Sequence, residues 1–292
     1  TKKITEKCDL LIGLGCRFAP TFCMGNPKNF AKKAYTISIN NDQNELNLNL
    51  KKIDLKINGS LFEFLSGFYN YIKKTKKINL KKWENECLFE KKNNYIPNIY
   101  SKKEPIDLYK FMYELDDLSP SNSILITDAG SNYYIGGQAW NFNKGQIEIS
   151  SSANAAMGLS LPLSIGASVA KKNNVVLSVT GDGSIELNIQ ELKTISHYKL
   201  NIKTFVINNG GYASMIKWQD DYFKGNRLDT EDKTGVGTMN FKSIAKAFNL
   251  NYDLINDPKN INKQIKKILN SNAPCLVEVV TDPKQKIIGI DF

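Results

Sequence analysis

Two short stretches carry the residues best suited to chemistry. The first is Gly181, Asp182, Gly183 and Ser184; the second is Asn208, Asn209, Gly210 and Gly211. Asp182 offers a hard carboxylate and Asn209 a neutral amide oxygen. The glycines beside them let backbone carbonyls and amides approach a ligand without interference from a Cβ atom. Oxygen donors of this kind suit Mg²⁺ or Ca²⁺ rather than zinc. The amides of Gly183 and Ser184 open a helix, and a helix N-terminus attracts anions. A cation site beside an anion hole points to a metal-bridged diphosphate. A Gly-Asp-Gly turn alone is common; the pairing of the two loops is what makes the pattern specific. Asp182 is expected on a surface loop, adding little to core packing.

The elements that must position these loops are legible around them. Val175 to Thr180 is a continuous apolar and β-branched run, a helix is expected from about Glu186 to His197, and Thr204 to Ile207 reads as a second buried strand. Buried runs on either side of a helix-period segment signal a βαβ crossover in a parallel sheet. Both loops then leave the carboxyl ends of neighbouring strands, where open α/β sheets bind ligands. Ser123 to Thr127 is a further strand, running into Asp128, Ala129, Gly130, Ser131 and Asn132. Helical spacing recurs over Ile106 to Leu115, Leu161 to Ala170, Phe241 to Phe248 and Ile261 to Leu269, and Cys275 to Val280 closes the sheet. The expected fold class is α/β, a mostly parallel sheet flanked by helices.

The N-terminal region has the same grammar on a smaller scale. Cys8 to Gly15 and Tyr35 to Ile39 read as strands and Leu61 to Ile72 as a helix, which amounts to half of a Rossmann-like domain. Residues 75–104 are rich in lysine and asparagine with few apolar positions, so they read as an exposed linker. The expected division is residues 1–74, the linker 75–104, and a cofactor-binding domain over 105–292.

Composition bounds the remaining possibilities. The 292 residues carry a net charge of +10, with 41% hydrophobic and 23% charged residues, as in an ordinary globular protein. The positive charge is almost all lysine, since Arg17 and Arg227 are the only arginines. It is scattered among asparagine and isoleucine, which argues for biased coding rather than a nucleic-acid-binding face. No apolar run is long enough to span a bilayer and no signal peptide is visible, so no membrane partner is expected. The five cysteines (Cys8, Cys16, Cys23, Cys87, Cys275) form no CxxC pair and are odd in number. That argues against a zinc site or a disulfide framework and fits a reducing cytoplasm. The single histidine, His197, reads as a helix-terminal residue rather than a catalyst.

GDGS followed by a helix, a strand and NN resembles the cofactor motif of thiamine diphosphate (ThDP) enzymes. NIQEL and the tryptophan of MIKWQ are similar to the acetolactate synthase branch of that family. The resemblance implies ThDP and Mg²⁺ as cofactors, with Asp182, Asn209 and the Gly211 carbonyl on the metal. It places Ser131, Asn132, Gly181, Gly183, Ser184 and Tyr212 at the cofactor. The small-residue run from Ser151 to Ala170 resembles the segment under the pyrimidine, where the Ala155 carbonyl would accept from the 4′-amino group and Met157 would hold the cofactor bent. Trp218 matches a tryptophan that shapes the acceptor pocket. NNGGYASM also resembles ThDP proteins of surface-polysaccharide pathways. The N-terminal DLLI-x-LG-x-RF run resembles the second half of the family's middle domain, which holds FAD in some members. Here Ala19, Pro20 and Asn40 stand where carboxylates are usual, which argues against FAD.

By this resemblance the chain is the cofactor-binding part of a carboligase that decarboxylates a 2-keto acid and passes the acyl carbanion to a second carbonyl. The alternatives are a 2-keto acid decarboxylase and a non-catalytic ThDP-fold subunit. No catalytic residue is assigned within these residues, because the family's activating glutamate lies on a separate pyrimidine-binding domain. That domain is expected from an upstream half or a partner subunit, and without it the chain is expected to be inactive. Homo-oligomers are expected too, given the aromatic stretch from Tyr212 to Phe223.

Overall fold

The structure is a computed structural model, describing residues 2–20, 22–23, 26–48, 50–75, 78–93, 105–143, 145–151 and 154–288. The chain forms two compact units, one of Thr1–Tyr95 with Ile288–Phe292 and the other of Ile96–Ile287.

The first unit holds a parallel three-stranded sheet of β1 (Leu10–Leu14), β2 (Tyr35–Asn40) and β3 (Leu55–Asn58), in that order. The helix Leu61–Lys74 begins at Ser60, whose hydroxyl accepts the Glu63 amide, and buries none of its residues. Phe62, Tyr69 and Tyr71 all point to solvent. A small core of Phe18, Cys23, Phe30, Ala31 and Ala34 is closed by Lys51, whose buried ammonium donates to the Phe30 carbonyl at 2.6 Å. Within the segment read as a linker, Lys81–Asn93 is a helix that pairs with the first helix, Lys2–Lys7, through Lys7 bonded to Glu86 and Glu90. Its many charges hid it: it is held by ion pairs on a polar face and has no apolar stripe to announce it. Residues 76–77 and 94–104 of that segment lie outside the described residues.

The second unit is built on six parallel strands: β4 (Ile124–Thr127), β5 (Ile147–Ile149), β6 (Val176–Gly181), β7 (Ile202–Asn208), β8 (Asn251–Ile255) and β9 (Cys275–Val280). Their order is β5-β4-β6-β7-β9-β8. Both faces are covered, and strand alternation assigns each side chain to one of two cores. Leu125, Leu177, Val179, Phe205 and Val277 face the helices Leu108–Leu118 and Ile261–Leu269. Ile124, Ile126, Val176, Val206 and Leu276 face Ser160–Ala170, Glu191–His197 and Phe241–Ala247. Each of these apolar side chains contributes roughly 1.5–3 kcal/mol by leaving water. The mostly parallel α/β architecture is the one the sequence implies.

The winding reverses between β4 and β6. The chain leaves β4 for β5 on one side, then returns to place β6, β7 and β9 on the other. Such a switch point opens a crevice at the carboxyl ends of the strands. Three loops meet that edge: residues 128–131 after β4, 182–184 after β6 and 209–211 after β7.

Candidate functional site

The βαβ register brings Gly181 opposite Ile207, so the two glycine loops emerge side by side. Asp182 turns inward and not to the surface. It is only 3% exposed, and its Oδ2 accepts the amides of Asn209, Gly210 and Gly211 at 3.1, 2.9 and 3.0 Å. This corrects the expectation of a surface carboxylate with little structural part: Asp182 is the acceptor around which the second loop folds. Burial raises its affinity for a proton, opposed by the amides of Gly211, Gly183, Gly210 and Asn209. Glu186 is shifted upward likewise, first by burial and then by the charge of Asp182.

The remaining Asp182 oxygen, Oδ1, accepts the Gly183 amide at 2.9 Å, so this amide of the expected anion hole is already engaged. Nearby, the Asn209 Oδ1 is buried and has no hydrogen-bond partner among the described residues. A buried acceptor left unpaired costs about 1–3 kcal/mol, and a cation would remove that penalty. The Gly211 carbonyl accepts the Ala213 amide at 2.9 Å and keeps a second lone pair. No cluster of three or more His, Cys, Asp or Glu side chains suited to a metal occurs among the described residues. The donor set is therefore one carboxylate, one amide oxygen and backbone carbonyls, which fits a hard divalent cation.

Tyr212 closes the site from the second loop. Its ring lies so close to Gly183 that a Cβ there would sit 2.1 Å from the Tyr212 Cε1. Only glycine permits that approach. Gly211 and Tyr212 are tied to the returning chain by a bridge to Glu231 and by the Tyr212 amide on the Thr230 carbonyl.

The loop after β4 contributes differently from the expectation. Ser131 opens the helix Ser131–Ala139 and is partly exposed at the crevice edge. Asn132 is buried, and its side-chain nitrogen donates to Asp128 at 3.0 Å and to the Val179 carbonyl at 2.8 Å. It braces the loop from within. Asp128, for which the sequence suggests no role, is fully buried and accepts from the Thr180 and Ser184 hydroxyls at 2.9 and 2.6 Å. The available signal was an acidic residue directly after a strand buried throughout.

The stretch before Ser160 also reaches the site. The Gly158 amide donates to Ser184 Oγ at 2.8 Å, and Asn188 Nδ2 donates to the Gly158 carbonyl at 2.9 Å. These contacts accompany a break in the helix expected from Glu186 to His197, which is a 3₁₀ turn Glu186–Asn188 and the helix Glu191–His197, preceded by a single helical turn Asp182–Ile185. Ala155 holds a left-handed backbone, φ 41°, and Met157 is exposed. Trp218 lies within the helix Ala213–Tyr222, packed on Tyr222 and Phe223 at ring separations of 5.5 and 5.1 Å.

Fold and loops together define an α/β domain whose crevice, at a topological switch point, suits a diphosphate with its cation. A family described as thiamine pyrophosphate enzyme, C-terminal TPP binding domain, matches residues 128–279. The chain is 28% identical over 291 residues to acetolactate synthase 1, chloroplastic, of Zea mays, covering 97% of this chain and 45% of that one. It is 30% identical over 297 residues to a probable acetolactate synthase large subunit of Methanocaldococcus jannaschii, covering 97% and 48%. A third relative, the acetolactate synthase large subunit of Porphyra purpurea, is 30% identical over 280 residues, covering 94% and 46%. The chain belongs to the ThDP enzymes of the acetolactate synthase family, and it spans about half the length of the curated relatives it matches.

Proposed function

We propose that the chain is the cofactor-binding part of a ThDP- and Mg²⁺-dependent carboligase that decarboxylates a 2-keto acid and passes its acyl unit to a carbonyl acceptor. The observation that carries this reading is the buried, unpartnered Asn209 Oδ1 beside the loop that wraps Asp182. Asp182, Asn209 and the Gly211 carbonyl would hold the metal. Ser131, Gly181, Gly183 and Ser184 would face the diphosphate, with Asn132 bracing that loop. Ala155, Met157 and Tyr212 would line the ring end, and Trp218 the acceptor pocket. When bound, ThDP supplies the nucleophilic carbon that the reaction needs. The protein's part is to orient the cofactor and keep the metal on its diphosphate.

The activating glutamate is assigned to a pyrimidine-binding domain supplied by another segment or subunit, so these residues alone should bind cofactor without turnover. FAD stays outside the proposal. The Arg17 guanidinium is held by both Glu45 oxygens at 2.7–3.1 Å, and the Asn40 side chain accepts the Asp42 amide at 3.0 Å. The five unpaired cysteines support a cytoplasmic setting, and among the described residues no helix is long and apolar enough to cross a membrane.

The test is calorimetric titration of ThDP with and without Mg²⁺, followed by pyruvate consumption with the upstream polypeptide added. Metal-dependent binding that is lost in Asp182→Ala is expected; ThDP binding indifferent to both Mg²⁺ and this substitution overturns the proposal. Acetaldehyde as the sole product would replace the carboligase by a decarboxylase.

A further inference from the structure

We propose that Asp128 is a positioning residue that, through Ser184, ties the segment 155–158 to the loop after β6, so that the ring end of the cofactor site is set from a buried carboxyl group. The proposal rests on reading the site as a ThDP site.

The tether is a chain of hydrogen bonds with fixed polarity. Asp128 Oδ2 accepts from the Thr180 and Ser184 hydroxyls, and its Oδ1 accepts from the Ala129 amide at 2.7 Å and from Asn132. Four donors therefore converge on a side chain with no solvent exposure. A serine hydroxyl has one proton. Because Ser184 commits that proton to Asp128, a lone pair is left facing the Gly158 amide, 2.8 Å away. The Gly158 carbonyl is held in turn by Asn188. A Cβ at residue 158 would stand 2.7 Å from the Leu187 Cβ, so the segment lies directly on the chain that follows Ser184. Residue 158 also has φ 80°, which fixes the direction in which the chain arrives from Met157.

The consequence is a division of labour. Asp182 organises the loop after β7, and Asp128 organises the loop after β4 and the approach of Ala155 and Met157. Asp128 itself is enclosed and touches no ligand; it acts through Ser184 and Gly158. Loss of the tether should free the 155–158 segment while leaving the Asp182 loop in place. The ring end of ThDP should then lose more than its diphosphate end.

The experiment uses the whole 292-residue chain with Asp128→Ala, Asp128→Asn and Ser184→Ala. The first readout is amide hydrogen exchange at Gly158 without cofactor, normalised to the core amides of β6 and β7. Protection should fall about tenfold in Asp128→Ala and Ser184→Ala, as for loss of one buried hydrogen bond. It should be kept in Asp128→Asn, whose amide nitrogen can turn to the two hydroxyls while they rotate to accept. The second readout is the affinity for ThDP and for inorganic diphosphate, each with Mg²⁺. ThDP should weaken about tenfold more than diphosphate in Asp128→Ala and not in Asp128→Asn. Unchanged Gly158 protection in Asp128→Ala, or affinities for the two ligands that fall in step, overturns the tether. If Asp128→Ala does not fold, Asp128→Ser, which keeps a small polar group but cannot hold both hydroxyls, decides the same contrast. A wild-type chain that binds neither ligand would refute the ThDP reading, and Gly158 exchange would still decide the tether.

Discussion

The carboxyl oxygen Oδ2 of Asp182 accepts the amide of Gly211 at 3.0 Å, joining loops that lie 29 residues apart in sequence. With the Asn209 and Gly210 amides on the same oxygen, one buried carboxylate shapes the whole second loop. Removing Asp182 therefore tests stability as well as binding, and a cleaner probe is its neighbour.

Asn209→Ala removes the unpartnered Oδ1 and leaves the backbone amide on Asp182. The ligand-free variant should be as stable as the parent, or more stable by about 1 kcal/mol, because a buried acceptor without a donor is gone. The rise in Tm on adding Mg²⁺ and ThDP should vanish. Thermal unfolding followed by fluorescence reads both, and an undiminished ligand-induced rise contradicts a metal role for Asn209.

Lys203 lies fully buried at the amino end of β7, its Nζ donating to the carbonyls of Ser271 and Ala273, and burial lowers its pKa to about 8. Between about pH 8 and the ordinary lysine value near 10.5, the unfolded chain holds this proton and the folded chain releases it. Stability should therefore rise with pH across that window relative to Lys203→Met, by at most about 1.4 kcal/mol per pH unit. Below pH 8 the difference should be constant. Denaturant melts of both proteins at several pH values check the sign, and parallel curves would show that the two carbonyls hold the ammonium charged.

Burial pushes the Cys23 thiol up to about 11 and the Cys275 thiol up to about 12. Thiolates are the reactive species, so both should resist an aromatic disulfide reagent at pH 8 and react only on unfolding. Cys8, Cys16 and Cys87, each partly accessible, are the ones available to react in the native chain. Mass spectrometry of briefly labelled protein identifies them; fast labelling of Cys275 would show that the start of β9 opens readily.

Polar contacts fasten the far end of the helix Ala213–Tyr222. Arg227 bridges Asp220 and Glu231, and the Gln219 side chain accepts from the Thr230 hydroxyl. Trp218 and Tyr222, with Phe223 just beyond the helix, pack on one another and are left outward, Tyr222 59% and Phe223 51% exposed. A contiguous apolar patch of this kind favours association. Tyr222→Ser with Phe223→Ser should shift light scattering toward the monomer at a given concentration. Unchanged association places the contact elsewhere, with the outward face of Leu61–Lys74 the next surface to vary.

The strands β6 and β7 and the two glycine loops were legible from residue order because their signals are local. A run of buried β-branched residues needs no distant partner to be recognised, and a βαβ crossover sets its two loops next to each other by geometry alone. The edge strands β5 and β8 were not legible. They are short, their burial is partial, and their strand character comes from pairing with β4 and β9. Residue order likewise placed Asp182 and Asn209 in one site but could not say that the Asp182 carboxyl turns away from solvent onto three amides, since side-chain direction depends on what surrounds it. Asp128 shows the limit most plainly. Its hydroxyl partners lie 52 and 56 residues further along, and only the parallel pairing of β4 with β6 brings them within 3 Å of its carboxyl group.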